Sequence, residues 1–463
     1  MPQPNSPSTV ESLVGVHPNA AGLDIGAREI WACVPQDRAP EPVRMFGTFT
    51  PDLNALVDWL VACGVATDAM ESTSVYWIPV FEMLEARGLQ VFLAAKRARH
   101  IKNVPGRKSD YLDCQWIQKL HALGLLTASF RPDAEMCALR AYLRHRAQLL
   151  QHRAPHILQM QRALHQMNLQ LTQVLTDVTG ATGLAILRAM VAGERDPLTL
   201  ARLRNPACKS SEEKIVKALT GNWQPEHLFV LKQSLELYDF YTAQVAACDV
   251  ALERYFTALK PRYEPAAEDL AGPALPRAKP GSKSKNRPAF DARAHLVRLL
   301  RIDLVAVEGV SASLAQTLLS EIGTDMAKWP TVKHFASWLG LAPHNDISGG
   351  RVLRSRTLKT DNRAGQAFRQ AAASVTRSDS AFGAYYRRKK AQIGPQQALV
   401  ATAHKIARTV YHMLKHRLSY HETGALVYEQ QHRERELVHL QRKAAKLGFT
   451  LTAHEPVLAP AAT

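Results

Sequence analysis

The chain has 463 residues, 46% of them hydrophobic, and its 58 Lys/Arg against 41 Asp/Glu leave a formal net charge of +17. That length excludes a small stapled protein and allows about three domains with cores of their own, while the positive excess favours a polyanionic partner, nucleic acid first. Six cysteines, Cys33, Cys63, Cys114, Cys137, Cys208 and Cys248, stand singly without a Cys-x-x-Cys pair, which argues against a zinc site or a disulfide framework and fits a reducing cytosol.

Residues 1–19 are rich in Pro, Ser and Asn, have no apolar signal core and read as a disordered start. No apolar run approaches the roughly 20 residues of a membrane span, and no basic amphipathic anchor with a clean aromatic face is present, so no membrane is expected as partner. From Ala21 the pattern alternates. A strand through Asp24 and Gly26 returns as a second, Arg28–Val34, and a third follows at Pro42–Phe49. A helix over Pro51–Cys63 carries Leu53, Leu56, Val57 and Leu60 at helical spacing, and a strand Thr67–Glu71 leads into a helix through Trp77, Phe81 and Leu84. A last strand is expected at Leu89–Ala94. Strands alternating with helices indicate an α/β domain over 20–130, in which sites collect at strand ends.

Asp24 interrupts an apolar strand and Glu71 closes another. Lys96, Arg97, Arg99, Lys102, Arg107 and Lys108 then form an acid-free basic segment, a candidate nucleic-acid contact, leading into Ser109-Asp110-Tyr111-Leu112-Asp113. On a helix capped by Ser109, Asp110 and Asp113 share one face, with Leu112, Trp116, Ile117 and Leu120 placed for the core. Two acids aimed together need a cation or water to offset their repulsion; a solvated first turn would satisfy them as well as a metal would. Clustered carboxylates are the ligands Mg²⁺ or Mn²⁺ prefers, and two such ions about 4 Å apart stabilise both oxygens of a phosphoryl transfer.

Set in Gly-Leu-Asp-Ile-Gly, Met-Glu-Ser-Thr and Lys-Ser-Asp-Tyr-Leu-Asp, the residues Asp24, Glu71, Asp110 and Asp113 resemble the Asp-Glu-Asp-Asp set of the RNase H-like, RuvC-like domain of DEDD-type transposases of bacterial insertion sequences (the insertion-sequence-110 family). The resemblance implies these four as catalytic metal ligands, for Mg²⁺ or Mn²⁺ in its place, and a bacterial cytoplasmic protein.

The middle of the chain, 131–262, reads as helical. A long stretch from Ala134 to about Leu175, with Pro155 as a kink, and a second over Pro225–Leu259 are placed to pair as a hairpin or coiled coil, within the chain or between chains, and dimerisation through this region is the favoured reading. Short helices and loops fill Gly193–Trp223. Residues 263–291, dense in Pro, Gly, Ala, Ser and Lys, form a linker before a mainly helical domain over 292–420. Ile302–Gly323 reads as two short helices about a Gly turn, similar to a helix-hairpin-helix element. Residues 421–463 read as a charged helix and a disordered tail.

Between Thr331 and Tyr420 sixteen Lys/Arg meet three Asp/Glu, so the charge is concentrated there. Ser348-Gly349-Gly350 is ordinarily a flexible turn, but Arg351, Arg354, Arg356, Lys359 and Arg363 follow, and arginines orient phosphates bidentately, so the Ser348 hydroxyl is a candidate nucleophile on a phosphodiester. This segment resembles the C-terminal domain of the same transposases, which implies Ser348 as the catalytic serine; Ile347 departs from the small hydroxyl residue the family often has there. Tyr385-Tyr386-Arg387-Arg388 suits contact with nucleic acid, or an exposed helix end.

The resemblance further implies donor and target DNA as substrates, a structured bridge RNA that pairs with both, and a homo-oligomer, dimer or tetramer, in which the acids of one protomer complete a site with Ser348 of another. Two other readings stay open: a metal-only, structure-specific nuclease of the junction-resolvase kind, in which Ser348 is a turn residue, and a non-catalytic nucleic-acid scaffold.

Overall fold

A strand of small and branched apolar residues, β1 (Ala20–Ile25), forms the centre of a five-stranded sheet. The computed structural model describes residues 15–71, 74–94, 109–262, 285–357 and 362–452, in two units, Met1–Arg131 and Pro132–Thr463. In the first, β1 turns back into β2 (Glu29–Cys33) and then β3 (Val43–Gly47), both antiparallel. Helix α1 (Thr50–Ala62) crosses to β4 (Thr67–Glu71), parallel to β1, and α2 (Trp77–Ala86) crosses to β5 (Gln90–Ala94), parallel to β4. The order is β3-β2-β1-β4-β5, a mixed sheet with helices consistent with an RNase H-like α/β domain. Leu23, Ile25 and Met70 face α1 and α2, where they pack with Leu56, Leu60, Phe81 and Leu84.

The opposite face takes α3 (Asp110–Ala122). Side chains alternate along β1, so Ala20, Gly22 and Asp24 look towards this helix. Gly22 is required there: a Cβ on it would stand 2.4 Å from the Cys114 carbonyl oxygen and 2.2 Å from the Gln118 amide nitrogen. The helix backbone thus lies directly on the strand, and Gln118 Nε2 donates to the Ala20 carbonyl (3.2 Å). Ile117 and Leu120 are buried as expected, joined by Cys114 and His121, but Trp116 is only half-buried and Leu112 is exposed, because the contact at Gly22 fixes the helix's rotation. Residues 15–19, expected within a disordered start, lie against this layer, with the His17 ring stacked on His121 and the His17 backbone N–H donating to the Ala122 carbonyl.

In the second unit α4 (Ala134–Gln166, with Pro155 inside it) continues through α5 (Leu171–Val174), α6 (Ala181–Val191), α7 (Pro197–Arg202) and α8 (Glu212–Leu219) to α9 (Pro225–Ala258). The short helices share a core with Met160, Leu164, Leu231 and Leu235 of the long ones. The long helices pair with each other, antiparallel, within the chain: Tyr255 donates to the Glu135 carbonyl, Arg146 holds Asp249, and Ser234 reaches Gln159. Arg146 and Asp249 are both buried, and the guanidinium also donates to the Asn286 and Arg287 carbonyls, so the last residues of the expected linker are fastened to the hairpin.

The remainder is helical: α10 (Ala292–Leu300), α11 (Ala312–Ile322), α12 (Val332–Trp338), then α13 (Arg363–Ser374), α14 (Ala381–Ile393), α15 (Pro395–His416) and α16 (Ala425–Lys446). Phe335, Phe368 and Tyr411 form its aromatic centre, and the Tyr411 hydroxyl donates to the Trp329 carbonyl. The first of the two short helices expected in 302–323 is only a single 3-10 turn, Leu304–Ala306: the Asp303 carboxylate, gripped by Arg293, takes the Val305 N–H and closes the turn at once. Between α12 and α13 a two-stranded ribbon, β6 (Pro343–Ser348) and β7 (Arg351–Thr357), stands with nearly every residue exposed. No described helix is long and apolar enough to cross a membrane.

Candidate functional site

The register of β1 against β4 pairs Leu23 with Met70, so the next step sets Asp24 beside Glu71 at adjacent strand ends, on the face that carries α3. The Gly22 contact brings the first turn of α3 over the same spot. Carboxylate oxygens of Asp24, Asp110 and Asp113 lie within 4.8 Å of one another, which makes these three a group able to hold a metal ion. Glu71 stands at the neighbouring strand end, outside that radius. Ser109 caps the helix, its hydroxyl accepting the Leu112 N–H at 3.3 Å, and Tyr111 sets its ring edge-on to Trp31, the β2 partner of Asp24, which pins the first turn in place.

Each pair of such charges costs between about 1 and 4 kcal/mol at 4 Å, from bulk water to a protein surface. Three hard oxygen donors, half-buried or exposed, suit a divalent cation that keeps some of its water. Below them are two buried free thiols that sequence reasoning missed as neighbours. Cys33 is the β2 partner of Gly22, and Cys114 is the α3 residue whose carbonyl approaches that glycine. The hydrogen bond to Cys33, burial and the nearby Asp24 charge all push the Cys114 thiol upward, so it stays protonated.

Ser348 lies in the second unit, at the tip of the β6–β7 ribbon. Gly349 and Gly350 both adopt positive φ, +54° and +74°, which gives the two-residue turn its right-handed fit to the strands. Ser348 pairs directly with Arg351, Asp346 with Arg354 and His344 with Arg356, and a bulge at Asp346/Ile347 keeps them in phase. One face of the ribbon consequently collects His344, Asp346, Ser348, Arg351, Arg354 and Arg356; the other holds Asn345, Ile347, Val352 and Ser355. Sequence reasoning named the arginines and missed His344 and Asp346, which counting by twos back from Ser348 would have found. His344 Nε2 is 3.9 Å from Asp346 Oδ1.

Arg363 opens α13 behind its Asn362 cap. Lys96, Arg97, Arg99, Lys102, Arg107, Lys108 and Lys359 lie outside the described residues. On α14, Arg387 is exposed and donates to the Ser378 carbonyl, but Tyr385 and Arg388 do not form an open platform for bases. The Tyr385 ring is occupied by Arg388 and by Lys405 of α15, because that helix packs alongside.

Residues 21–169 match the sequence family of DEDD transposases of the IS110 type, and residues 303–387 match the Transposase IS116/IS110/IS902 family. The first match contains Asp24, Glu71, Asp110 and Asp113; the second contains Ser348 and the ribbon. No individually curated protein matches the chain. Two matches to one family, together about half of the sequence, agree with the acid group of the first unit, and the chain belongs to the IS110-type transposases, enzymes that act on DNA.

Proposed function

We propose that the chain excises and inserts its own insertion sequence by metal-assisted serine attack on DNA phosphodiesters. The observation that carries this reading is the convergence of Asp24, Asp110 and Asp113, residues separated by up to 89 positions, at the end of the central strand beside Glu71. These acids would hold Mg²⁺, which when bound neutralises charge gathering on the scissile phosphate. Ser348 Oγ attacks phosphorus: an Oγ–P bond forms, the P–O bond to the departing deoxyribose oxygen breaks, the hydroxyl gives up its proton and the leaving oxygen takes one up. Arg351, paired across the ribbon with Ser348, together with Arg354, orients the phosphate oxygens. The DNA is held covalently until a strand end displaces the serine. A bridge RNA guiding donor and target, and an oligomer in which the acids and Ser348 come from different protomers, follow from the family resemblance.

The test is a denaturing gel of protein with element-end DNA, RNA transcribed from the element's flank, and Mg²⁺. A protein–DNA adduct that disappears in Ser348→Ala and in Asp110→Asn is expected. Cleavage without an adduct, unchanged in Ser348→Ala, leaves a metal-only nuclease and refutes the serine mechanism. Mixing Asp24→Ala chains with Ser348→Ala chains then decides whether sites are shared, since only shared sites recover activity.

A further inference from the structure

Helix α15 has 22 residues and neither Asp nor Glu. Its buried side carries Thr402, Ile406, Ala407, Val410 and Met413. Its other side runs His404, Lys405, Arg408, His412, Lys415 and His416, all within about a third of the helix circumference. Two neighbouring helices add charge to the upper end of this edge, Arg388 from α14 and Arg435 from α16. Burial first, then Arg388, Arg435 and Arg408, pull the Lys405 ammonium down to about 8, against only Glu422 acting the other way.

Two tyrosines floor the cluster. Lys405 Nζ stands 4.6 Å from the ring centre of Tyr385 and 4.2 Å from that of Tyr428, and Arg388 lies over the same two rings while donating to the Tyr428 hydroxyl at 2.7 Å. Among the described residues no carboxylate is within ion-pair distance of Arg388, Lys405, Arg408 or Arg435. Ring faces offset part of the repulsion among these cations. The rest is left for an anion to relieve.

We propose that the basic edge of α15, with Arg388 and Arg435, is a track for a nucleic-acid phosphate backbone, a contact surface additional to the acid group and the Ser348 ribbon. It rests on the chain acting on nucleic acid, and every cation in it lies beyond the residues matched to the family. From Lys405 to His416 the edge extends about 16 Å, against a phosphate every 3.4 Å along one strand of a duplex. The tyrosine faces are already filled by cations, so bases do not stack there. Recognition is of the backbone, without sequence preference.

The test uses Arg408→Gln/Arg435→Gln, two exposed positions whose loss leaves the tyrosine floor intact. Binding of the full chain to a labelled duplex, to single-stranded DNA and to an RNA hairpin, all of arbitrary sequence, is followed by fluorescence anisotropy over a salt series without divalent metal. Loss of two phosphate contacts lowers the slope of log affinity on log salt by about 1.8 for a duplex and about 1.4 for a single strand, and at about 0.1 M salt weakens duplex binding roughly sixtyfold. The expected result is that loss in at least one of the three, with an unchanged melting temperature; the substrate affected names the strand that occupies the track. Unchanged slopes for all three would overturn the proposal and leave the cations as a pin for α16. Since no cleavage is required, a chain that proves inactive in strand transfer still gives either answer.

Discussion

Gly22→Ala should damage the acid group without touching an acid. The added methyl would meet three main-chain atoms of α3 at 2.2, 2.4 and 2.7 Å, where ordinary carbon contacts begin at about 3.5 Å. None of these atoms belongs to a side chain that can swing aside, so α3 must lift from β1 by roughly 1 Å. Overpacking of this kind costs about 1–3 kcal/mol, which for a unit of this size lowers the melting temperature by roughly 5–15 °C. The lift also carries Asp110 and Asp113 away from Asp24, and a misplacement of about 1 Å at a reacting centre costs on the order of 100-fold in rate. Melting curves, Mn²⁺ titration by calorimetry and adduct formation would be measured together. Gly88→Ala is the control: it strains a turn at φ +83° with open space around it, so it should lose about 1 kcal/mol of stability and keep metal affinity. A Gly22→Ala chain with wild-type melting and wild-type metal affinity would refute the argument that this glycine sets the helix against the strand.

Asp68, on β4, is fully buried with neither carboxylate oxygen hydrogen-bonded to a described group, and burial raises its carboxyl well above the usual range. The folded chain then keeps a proton that the unfolded chain releases, so this residue costs stability increasingly as pH rises above about 4; Asp68→Val should raise stability at neutral pH by about 1–3 kcal/mol, seen in denaturant titrations. His121 has the opposite sign. Burial and the adjacent His17 lower it from 6.5 to about 4, so the unfolded chain takes up the proton first, and stability should fall by up to about 3 kcal/mol between pH 6.5 and 4, a slope that His121→Leu abolishes. For the buried Arg146–Asp249 pair, Arg146→Met should cost about 3–5 kcal/mol by stranding a carboxylate, while Arg146→Met with Asp249→Leu should recover most of it.

The strands and helices of the first unit were readable because each is a clean period of two or of about four residues between turn signals; β4 begins and ends where Thr67 and Glu71 suggest. The acids were readable as a set only through resemblance, since local pattern leaves Asp110 and Asp113 equally satisfied by water. What brings them to Asp24 is the missing side chain at Gly22, a packing fact with no periodic trace. Leu112 failed for the same reason: which side of α3 is inside depends on how it meets the sheet. That the Tyr385 ring is not open to bases was hidden because Lys405, which covers it beside Arg388, and Tyr428, whose ring Arg388 also overlies, come from two later helices.

The β6–β7 ribbon rests neither face on a hydrophobic core, and an isolated pair of strands is marginal in water. Its arginines repel one another until phosphates arrive between them. On the serine mechanism proposed above, a chain that carries its nucleophile on such a support would be poorly armed when alone and would gain rigidity from the nucleic acid it grips, a safety catch suited to an enzyme surrounded by a whole chromosome it should leave uncut.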